Sequence, residues 1–304
     1  MLHQNRLIRS RLAPTPSGFL HTGNAVNFAI TAALTHTGRG SLVLRIDDLD
    51  AERVRAEYVQ DIFEILEWLE IRWDSGPRSQ GETSAFSQKS RVPEYIRLIE
   101  RLKETGHVYA CTCSRREIED RTGTLVYDGH CRSARHPLAN DRVLRFALPD
   151  SPVVVHDVLR GALSVNLSSL AGDPVIRRRD GLPAYHIASL ADDVDQRINL
   201  IVRGEDLLPS TATQLVLARA LGEQGVAFGF ANFLHHGLLV AEDGRKLSKS
   251  QGDSPLRTKR LAGVSPAIVY QAAAQLMGVP RARNLSELAE RLGAVAAQFH
   301  IETL

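Results

Sequence analysis

The stretch of sequence that decides the fold is RLAPTPSGFLHTGN, residues 11–24. A short strand is predicted over residues 7–12, where the stretch begins. Pro14 and Pro16 exclude a helix beyond that strand, because each ring fixes φ and each proline lacks an N–H donor. Gly18 then predicts a turn, and an amphipathic sequence typical of a helix follows. A strand, a turn and a helix N-terminus are therefore expected in succession near the start of the chain.

A helix N-terminus of this kind favours an anion, because its first N–H groups are unpaired and the helix dipole is positive there. His21 lies at this predicted site and can donate a proton to a phosphate oxygen, while Gly23 lets the backbone approach a ligand closely. A second stretch, GRKLSKS at residues 244–250, supplies Lys246 and Lys249 as positive charges on a polar loop. Together, in this order, the two stretches predict a phosphate-binding site.

Both stretches resemble the signature motifs of one enzyme family. HTGN at residues 21–24 is similar to the HIGH motif, and KLSKS at residues 246–250 to the KMSKS motif, of class I aminoacyl-tRNA synthetases. RLAPTPSG at residues 11–18 and RIDDLD at residues 45–50 resemble the glutamyl branch. The resemblance covers nearly the whole chain. It implies an α/β fold with a Rossmann-like, doubly wound parallel sheet, an inserted zinc-binding subdomain and C-terminal helices.

The resemblance also implies roles for individual residues. His21, Lys246 and Lys249 are expected to be catalytic, by stabilising charge on the phosphate under attack. At the position of Asp47 the family carries a glutamate that binds the amino group of the substrate, so the carboxylate here is one methylene shorter. The residues expected to hold glutamate are Arg11, Ala13, Thr15, Asp47, Tyr185 and Arg203. The residues expected to hold ATP are His21, Gly23, Asn24, Lys246 and Lys249.

Arginines suit the binding of the glutamate carboxylates, because a guanidinium can bind a carboxylate with two parallel hydrogen bonds and a lysine cannot. Which of Arg11 and Arg203 would hold the side-chain carboxylate, and which the α-carboxylate, is open. Taken alone, Arg203 is also typical of an ion pair with Glu205 or Asp206. Tyr185 alone would be typical of a core aromatic residue.

Strands and long helices alternate along the first half of the chain. Residues 41–46 predict a buried strand, and residues 52–70 and 93–105 predict helices with one apolar face. This alternation argues for a parallel sheet covered by helices. The expected segments are a first half of the catalytic domain (1–106), an inserted zinc-containing, acceptor-binding subdomain (107–175), a second half with the lysine loop (176–255) and a short helical region (256–304).

The cysteines of the chain fall within one polar stretch, as Cys111, Cys113 and Cys131. A disulfide framework would use an even number, so a closed zinc site with four donors, or simple burial, is the better interpretation. Spacing leaves the fourth donor open among Tyr127, Asp128, His130 and His136, and residue preference favours a histidine. The resemblance points instead to Tyr127, since the glutamyl-Q tRNA(Asp) synthetases carry Cys-x-Cys followed by Tyr-x-x-x-Cys.

The chain has 304 residues and a formal net charge of +2, which is too small to indicate a nucleic-acid partner by itself. Basic clusters at residues 177–179 and 257–260 are candidates for RNA contact or for solvated charge. No apolar run is long enough to cross a membrane and no signal peptide is evident, so a cytoplasmic protein is expected. The expected oligomeric state is a monomer.

The expected reaction has two acyl-transfer steps. L-Glutamate attacks ATP bound with Mg²⁺, and an RNA hydroxyl then accepts the glutamyl group from glutamyl-AMP. The chain stops at Leu304, where full-length glutamyl-tRNA synthetases continue into an anticodon-binding domain. Together with the cysteine pattern, this implies the glutamyl-Q type, whose acceptor is the queuosine base in the anticodon arm of tRNA(Asp). A compact ligase that charges tRNA(Glu), or another acceptor without queuosine, is the alternative.

Two other classes of function agree less well with the motifs. A regulatory RNA-binding relative would not need the histidine and the lysines of both motifs intact. A nucleotidyltransferase of the same superfamily would need both motifs, but would not need Arg11, Tyr185 and Arg203 together. The sequence therefore predicts a ligase of the aminoacyl-tRNA synthetase type.

Overall fold

The computed structural model describes residues 7–239 and 255–295. Strands and helices alternate through these two ranges, as the sequence predicts. In chain order the elements are β1 (Arg9–Leu12), α1 (Thr22–Thr37), β2 (Ser41–Leu44), α2 (Ala56–Trp68), α3 (Val92–Glu104), β3 (Val108–Cys111), α4 (Arg115–Thr122), β4 (Val143–Phe146), β5 (Val153–Asp157), β6 (Gly161–Val165), α5 (Leu167–Leu170), β7 (Val175–Arg177), α6 (Tyr185–Asp195), β8 (Leu200–Gly204), α7 (Leu208–Ala220), α8 (Val226–Gly229), β9 (Asn232–His236), α9 (Leu256–Leu261), α10 (Ala267–Leu276) and α11 (Leu285–Ala294).

The main sheet, as we call it, has two adjacent parts, a two-stranded part β1-β2 and a four-stranded part β6-β5-β9-β8. β1 pairs with β2 in parallel, and β8, β9 and β5 are parallel neighbours, with β6 as an antiparallel edge. Backbone groups join the two parts, since the N–H of Asn199 donates to the carbonyl of Arg9 (2.9 Å) and the Ser10 hydroxyl donates to that of Leu200 (2.8 Å). The predicted α/β architecture with a parallel sheet is thus confirmed, and the carboxyl ends of β1, β8 and β9 lie at one edge.

Two apolar cores lie against this sheet. One core takes residues from α1, α2, α10 and α11, and the other takes residues from α3, α6 and α7. Leu200 and Val202 of β8 belong to the first core, whereas Ile201 between them belongs to the second. Because side chains alternate along a strand, this division shows that the two cores occupy opposite faces of the sheet. The sheet is therefore covered by helices on both faces.

A separate antiparallel sheet, in the order β3-β4-β7, lies next to the cysteine-containing segment. An isolated bridge between Tyr127 and Gly172 ties that segment to the residues before β7. β5 and β6 fall within the stretch predicted as the inserted subdomain, residues 107–175, but they pair in the main sheet. The domain boundaries themselves stay a prediction.

The two long helices predicted in the first half of the chain are confirmed. The helix expected over residues 52–70 is α2, which begins at Ala56 because residues 51–53 form a turn. The helix expected over residues 93–105 is α3, with Tyr95 among the apolar residues that it buries. Within the described parts of the chain, no helix combines the length and the apolar character needed to cross a bilayer.

Candidate functional site

A cleft of about 520 Å³ opens at the carboxyl edge of the main sheet. Its walls come from the segment after β1, from the starts of α1 and α6, and from the ends of β8 and β9. Open α/β sheets bind ligands at this edge. The predicted site residues that line the cleft are Arg11, Ala13, Thr15, His21, Gly23, Asn24, Tyr185 and Arg203.

The turn between β1 and α1 is held by hydrogen bonds around the first residues of the helix. His21 is the N-cap residue of α1, and its backbone N–H donates to the side-chain oxygen of Asn24 (3.1 Å). Gly23 lies close to the imidazole, since a Cβ placed there would be 3.1 Å from the His21 ring. The carboxylate of Asp61 accepts the N–H of Leu20 (2.9 Å) from below. These contacts keep the three motif residues together at a helix N-terminus, which makes this turn a candidate anion site.

Lys246 and Lys249 lie outside the described residues. The flanking residues on both sides are at the cleft, because Leu239 lines it and the N–H of Leu256 donates to the carbonyl of Leu20 (2.9 Å). The segment that carries the two lysines therefore leaves and rejoins the described structure beside the candidate anion site.

Beneath the cleft, three arginines surround one aspartate of α6. Asp193 accepts from Nε of Arg11 (3.1 Å) and from Nη1 of Arg45 (2.7 Å), and its other oxygen lies 3.9 Å from Nη2 of Arg203. Although burial disfavours its charge, these arginines hold the pKa of Asp193 below its ordinary value. Buried charges of this kind are tolerated only when each has a partner. Arg11 of β1 and Arg203 of β8 are distant in sequence. Their shared counter-ion Asp193 holds both of them at one wall of the cleft.

Arg203 has one satisfied edge and one unsatisfied edge. Its Nη1 donates to the Thr211 hydroxyl (2.9 Å) and to the side-chain oxygen of Gln214 (2.7 Å). Its Nη2 is buried and has no hydrogen-bond partner within residues 7–239 and 255–295. Leaving a buried donor unpaired costs about 1–3 kcal/mol, and more for a charged group. A carboxylate from a ligand would satisfy this edge with charge-assisted hydrogen bonds.

The structure contradicts the interpretation of Tyr185 as a core residue and the pairing of Arg203 with Glu205. Tyr185 is 43% exposed at the first position of α6, so it is not a core residue. Glu205 does not pair with Arg203, because its carboxylate contacts Arg160 (2.5 Å). Ser189, one turn after Tyr185, also lines the cleft.

Asp47, which the sequence assigns to the substrate amino group, is not among the residues that line the cleft. It is only 6% exposed, and its carboxylate accepts from Nε of Arg45 (2.7 Å) and from the Gln88 amide (3.3 Å). Burial raises the pKa of Asp47 in spite of the attraction of Arg45. These contacts make Asp47 a counter-ion of Arg45, and contact with a substrate stays a prediction.

A second candidate site lies in the segment next to the antiparallel sheet. The ligand atoms of Cys111, Cys113 and Cys131 all lie within 4.8 Å of one another, and the Sγ atoms of Cys113 and Cys131 are 3.6 Å apart. That distance is too long for a disulfide, and the three cysteines are free thiols. Three convergent sulfur atoms match the donor set of a structural zinc site.

Tyr127 is the further side chain at this cysteine cluster. Its hydroxyl lies 3.5 Å from Sγ of Cys111 and accepts the backbone N–H of Cys131 (2.8 Å). Among the residues that the structure describes, no histidine joins the group of possible metal ligands, and His130 is exposed. The contacts therefore favour Tyr127 over the histidine that residue preference suggested.

The thiols of the cluster differ in acidity. Burial, followed by the hydrogen bond with Cys131, raises the pKa of Cys113 to about 11. Burial acts in the same direction on Cys131, but hydrogen bonds from the Thr112 N–H and the Tyr127 hydroxyl lower the pKa of Cys131 to about 6. Burial also raises the pKa of Tyr127. The Cys131 thiol thus ionises more readily than the Cys113 thiol, and a bound cation would favour ionisation of the donors around it.

The basic residues considered for RNA contact are partly engaged in the fold. Arg177 is 5% exposed and donates to two backbone carbonyls, so its prediction as an RNA contact is wrong. Arg178 pairs with Asp180 (2.6 Å) and remains partly exposed. Arg257 is exposed and lies over the ring of Phe19, 5.0 Å from its centroid, next to the candidate anion site.

Sequence reasoning assigned no role to several buried polar residues around the cleft. A signal existed for Asp193, because Asp192 and Asp193 interrupt an apolar helical segment, and buried acids need cationic partners. Thr211 and Gln214 carry no such signal, since both residue types are common on a helix surface. Their role follows only from the position of Arg203.

Comparison with known proteins gives a consistent result. Residues 7–297 match the sequence model of a family described as tRNA synthetases class I (E and Q), catalytic domain. The chain is 35% identical over 295 residues to the glutamyl-Q tRNA(Asp) synthetase of Nitratidesulfovibrio vulgaris, which covers 91% of this chain and 90% of that protein. It is also 35% identical over 274 residues to the glutamate–tRNA ligase of Symbiobacterium thermophilum, which covers 85% of this chain but 56% of that protein.

The fold agrees with that of a solved relative. The structure of the glutamate-tRNA synthetase from Elizabethkingia anophelis matches with a TM-score of 0.76 at 27% sequence identity. The match covers 94% of this chain and 66% of that chain. This chain therefore spans most of one relative, and a little more than half of a full glutamate–tRNA ligase.

Proposed function

The chain belongs to the catalytic-domain family of the class I tRNA synthetases for glutamate and glutamine, and from this premise we propose that it activates L-glutamate with ATP. The α-carboxylate of glutamate attacks the α-phosphorus of ATP, pyrophosphate leaves, and glutamyl-AMP is formed. An RNA hydroxyl then attacks the activated carbonyl, and AMP leaves. The chemistry needs no nucleophile from the protein, so positioning and charge stabilisation carry it.

The observation that carries this proposal is the unsatisfied edge of Arg203. Its buried Nη2 and the guanidinium of Arg11 lie at the same wall of the cleft and share Asp193 as a counter-ion. Two guanidinium groups at one wall suit a substrate with two carboxylates. Tyr185, Ala13 and Thr15 would complete this pocket, with the Tyr185 hydroxyl near the ammonium group.

The anion site at the start of α1 suits the phosphates of ATP. His21, Gly23 and Asn24 would hold the nucleotide there, and His21 would stabilise charge on the phosphorus under attack. Lys246 and Lys249, which lie outside the described residues, would add positive charge for the phosphates. Mg²⁺ bound through the phosphates would supply further neutralisation of charge.

Exchange of labelled pyrophosphate into ATP tests the activation step. L-Glutamate should support exchange, and L-aspartate and L-glutamine should not. Arg203→Ala should raise the KM for glutamate about 10- to 100-fold, because one charged hydrogen bond is lost. Arg219→Ala, which removes an exposed arginine of α7, is the control and should leave the KM unchanged. Faster exchange with another amino acid, or an unchanged KM in Arg203→Ala, would refute the proposal.

For the acceptor, we propose the queuosine base of tRNA(Asp). The support is the relative named glutamyl-Q tRNA(Asp) synthetase together with the Cys-x-Cys and Tyr-x-x-x-Cys pattern of this chain. Sequence identity alone does not separate the candidates, because a glutamate–tRNA ligase is equally identical, at 35%. Transfer to tRNA(Glu) is therefore the second candidate function.

The two acceptors can be separated with small RNAs. An isolated anticodon stem-loop of tRNA(Asp) that carries queuosine should accept labelled glutamate nearly as well as the whole tRNA. The same hairpin with guanosine should be inert, because it lacks the ring hydroxyls that accept the ester. Charging of the guanosine hairpin, or of the 3′ end of tRNA(Glu), would establish the second candidate instead.

We also propose one structural Zn²⁺ held by Cys111, Cys113, Tyr127 and Cys131. A bound zinc ion would pair the thiolate charges and join the two ends of this segment. Protein prepared without chelators should contain one zinc per chain. Cys113→Ser should lose the metal, and His130→Ala should keep it. Loss of zinc in His130→Ala with retention in a Tyr127→Phe variant would assign the fourth ligand to the histidine.

A further inference from the structure

A chain of buried hydrogen bonds leads from β5 to the guanidinium of Arg203. It consists of Asp157, His235 and Thr211, none of which lines the cleft. We propose that this Asp157–His235–Thr211 relay positions Arg203 for the carboxylate of the substrate. The inference rests on the proposed function and adds three positioning residues to it.

Asp157 accepts hydrogen bonds at both oxygens of its carboxylate. One of its oxygens accepts the N–H groups of Leu159 (2.8 Å) and Arg160 (3.0 Å), and the other accepts the backbone N–H of His235 (2.7 Å). A carboxylate with three N–H donors is stabilised in its charged form. The second oxygen also lies 2.8 Å from Nδ1 of His235. Because an ionised carboxylate can only accept, Nδ1 carries a proton.

With its proton on Nδ1, the neutral imidazole of His235 can accept a hydrogen bond at Nε2. Its Nε2 lies 2.9 Å from the Thr211 hydroxyl. Arg203 can only donate, so the hydroxyl oxygen accepts from Nη1 and directs its own proton to Nε2. The carbonyl of Leu207 is a more distant acceptor for that proton, at 3.3 Å. When the imidazole is neutral, each hydrogen bond of the relay has one donor. Arg203 donates to Thr211, Thr211 donates to His235, and His235 donates to Asp157.

The relay fixes the orientation of the Arg203 guanidinium at the wall of the cleft. Nη1 is occupied by Thr211 and by Gln214, whose own amide donates to the carbonyl of His186 (3.3 Å). A planar guanidinium held through Nη1 has its other nitrogens in fixed positions, and here Nη2 makes no hydrogen bond among the described residues and lies 3.9 Å from the Asp193 carboxylate. The strand register agrees, since Arg203 and His235 are paired on β8 and β9. A group held in its binding orientation loses less entropy when the ligand arrives.

Thr211→Val tests the relay, because it replaces the hydroxyl by a methyl group of similar shape. In pyrophosphate exchange the KM for glutamate should rise about 5- to 10-fold, the effect of one ordinary hydrogen bond, while the KM for ATP stays unchanged. Thr211→Ser should restore the KM for glutamate. Thr213→Val makes the same replacement on the same helix outside the relay, and should change neither KM. An equal change in both KM values, or no recovery in Thr211→Ser, would overturn the inference.

The ring of His235 gives a second test that needs no substrate. Its ring nitrogens can be assigned by NMR from the signals lost in His235→Asn or shifted in Thr211→Val. The tautomer protonated at Nδ1 is expected, and a proton on Nε2 would overturn the relay. If no amino acid supports pyrophosphate exchange, the proposed function is refuted but the relay is not. The tautomer of His235 then remains as the test of the relay.

Discussion

His186 is held in its neutral form next to the carboxylate site. Burial, followed by the charge of Arg203, lowers the pKa of His186 to about 4. In the unfolded chain an ordinary histidine takes up its proton near about pH 6.5. Between these two values the unfolded state binds more protons than the folded state. The free energy of unfolding therefore falls as the pH falls through this window, and it is unaffected by His186 above it.

His186→Gln should remove this contribution to the pH dependence. Between about pH 6.5 and pH 4, the wild type should lose up to about 1.4 kcal/mol per pH unit relative to the variant. Urea unfolding at several pH values measures the difference. Above this window the two proteins should show parallel pH dependence, and identical slopes within it would contradict the assignment.

At the scale of single residues, the sequence predicted which residues line the cleft better than it predicted the buried ion pairs beneath it. His21, Gly23 and Asn24 stand in one short motif, so a local pattern was sufficient to bring them together. Asp193 contacts Arg11 across a separation of 182 residues, and no local pattern encodes such a pair. For Asp47 the local motif predicted a contact with the substrate. In the structure its carboxylate instead accepts a hydrogen bond from Arg45.

Among the structural elements, the loop before β7 supports the cysteine cluster. Gly172 has a φ of +64°, and a Cβ there would lie 2.2 Å from the carbonyl oxygen of Tyr127. Gly172→Ala should therefore displace Tyr127, lower the zinc content and reduce the melting temperature. Gly161→Ala is the matched control, because Gly161 also has a positive φ (+72°) but has open space around it.

The control should lose only about 1–2 kcal/mol, the cost of a side chain in the left-handed region, and should keep its metal. Metal analysis and thermal unfolding of both variants distinguish the two effects. Equal losses of stability with full zinc content in both would mean that contact with Tyr127 is unimportant.

The elements themselves were predictable where a helix has a long apolar period. α2 and α3 each repeat their apolar residues over 13 positions, which is enough to identify a helix. β5 has only 5 residues, and its alternating burial shows one buried face without identifying a neighbour. Its assignment to the main sheet depends on pairing with β9, and that pairing is decided by tertiary contacts.

For the molecule as a whole, Asn199 is one of the links between the first strand and the second half of the chain. Its side chain accepts the N–H of Arg9 (2.7 Å) and donates to the carbonyl of Leu7 (3.0 Å). Asn199→Ala should lower the free energy of unfolding by about 1–3 kcal/mol, because the Arg9 N–H loses its acceptor.

Asn199→Asp is the matched control, since it keeps the acceptor and loses only the donor to Leu7. It should retain more of the stability than Asn199→Ala at neutral pH. Urea unfolding of both variants measures the difference, and a smaller loss in the alanine variant would show that the Arg9 contact contributes little. The α/β class of the molecule was predictable from alternation, but this long-range link was not.

The same link has a consequence for biosynthesis on the ribosome. Arg9 and Asn199 are separated by 190 residues, so at about 5–20 residues per second Asn199 emerges about 10–40 s after Arg9. During that interval the nascent chain holds β1 with an unpaired edge, to which another chain could add a strand. Arg11 likewise waits for Asp193, so the substrate pocket is completed only when the second half of the protein has been translated. Chaperone binding to the first half of the nascent chain would cover this period.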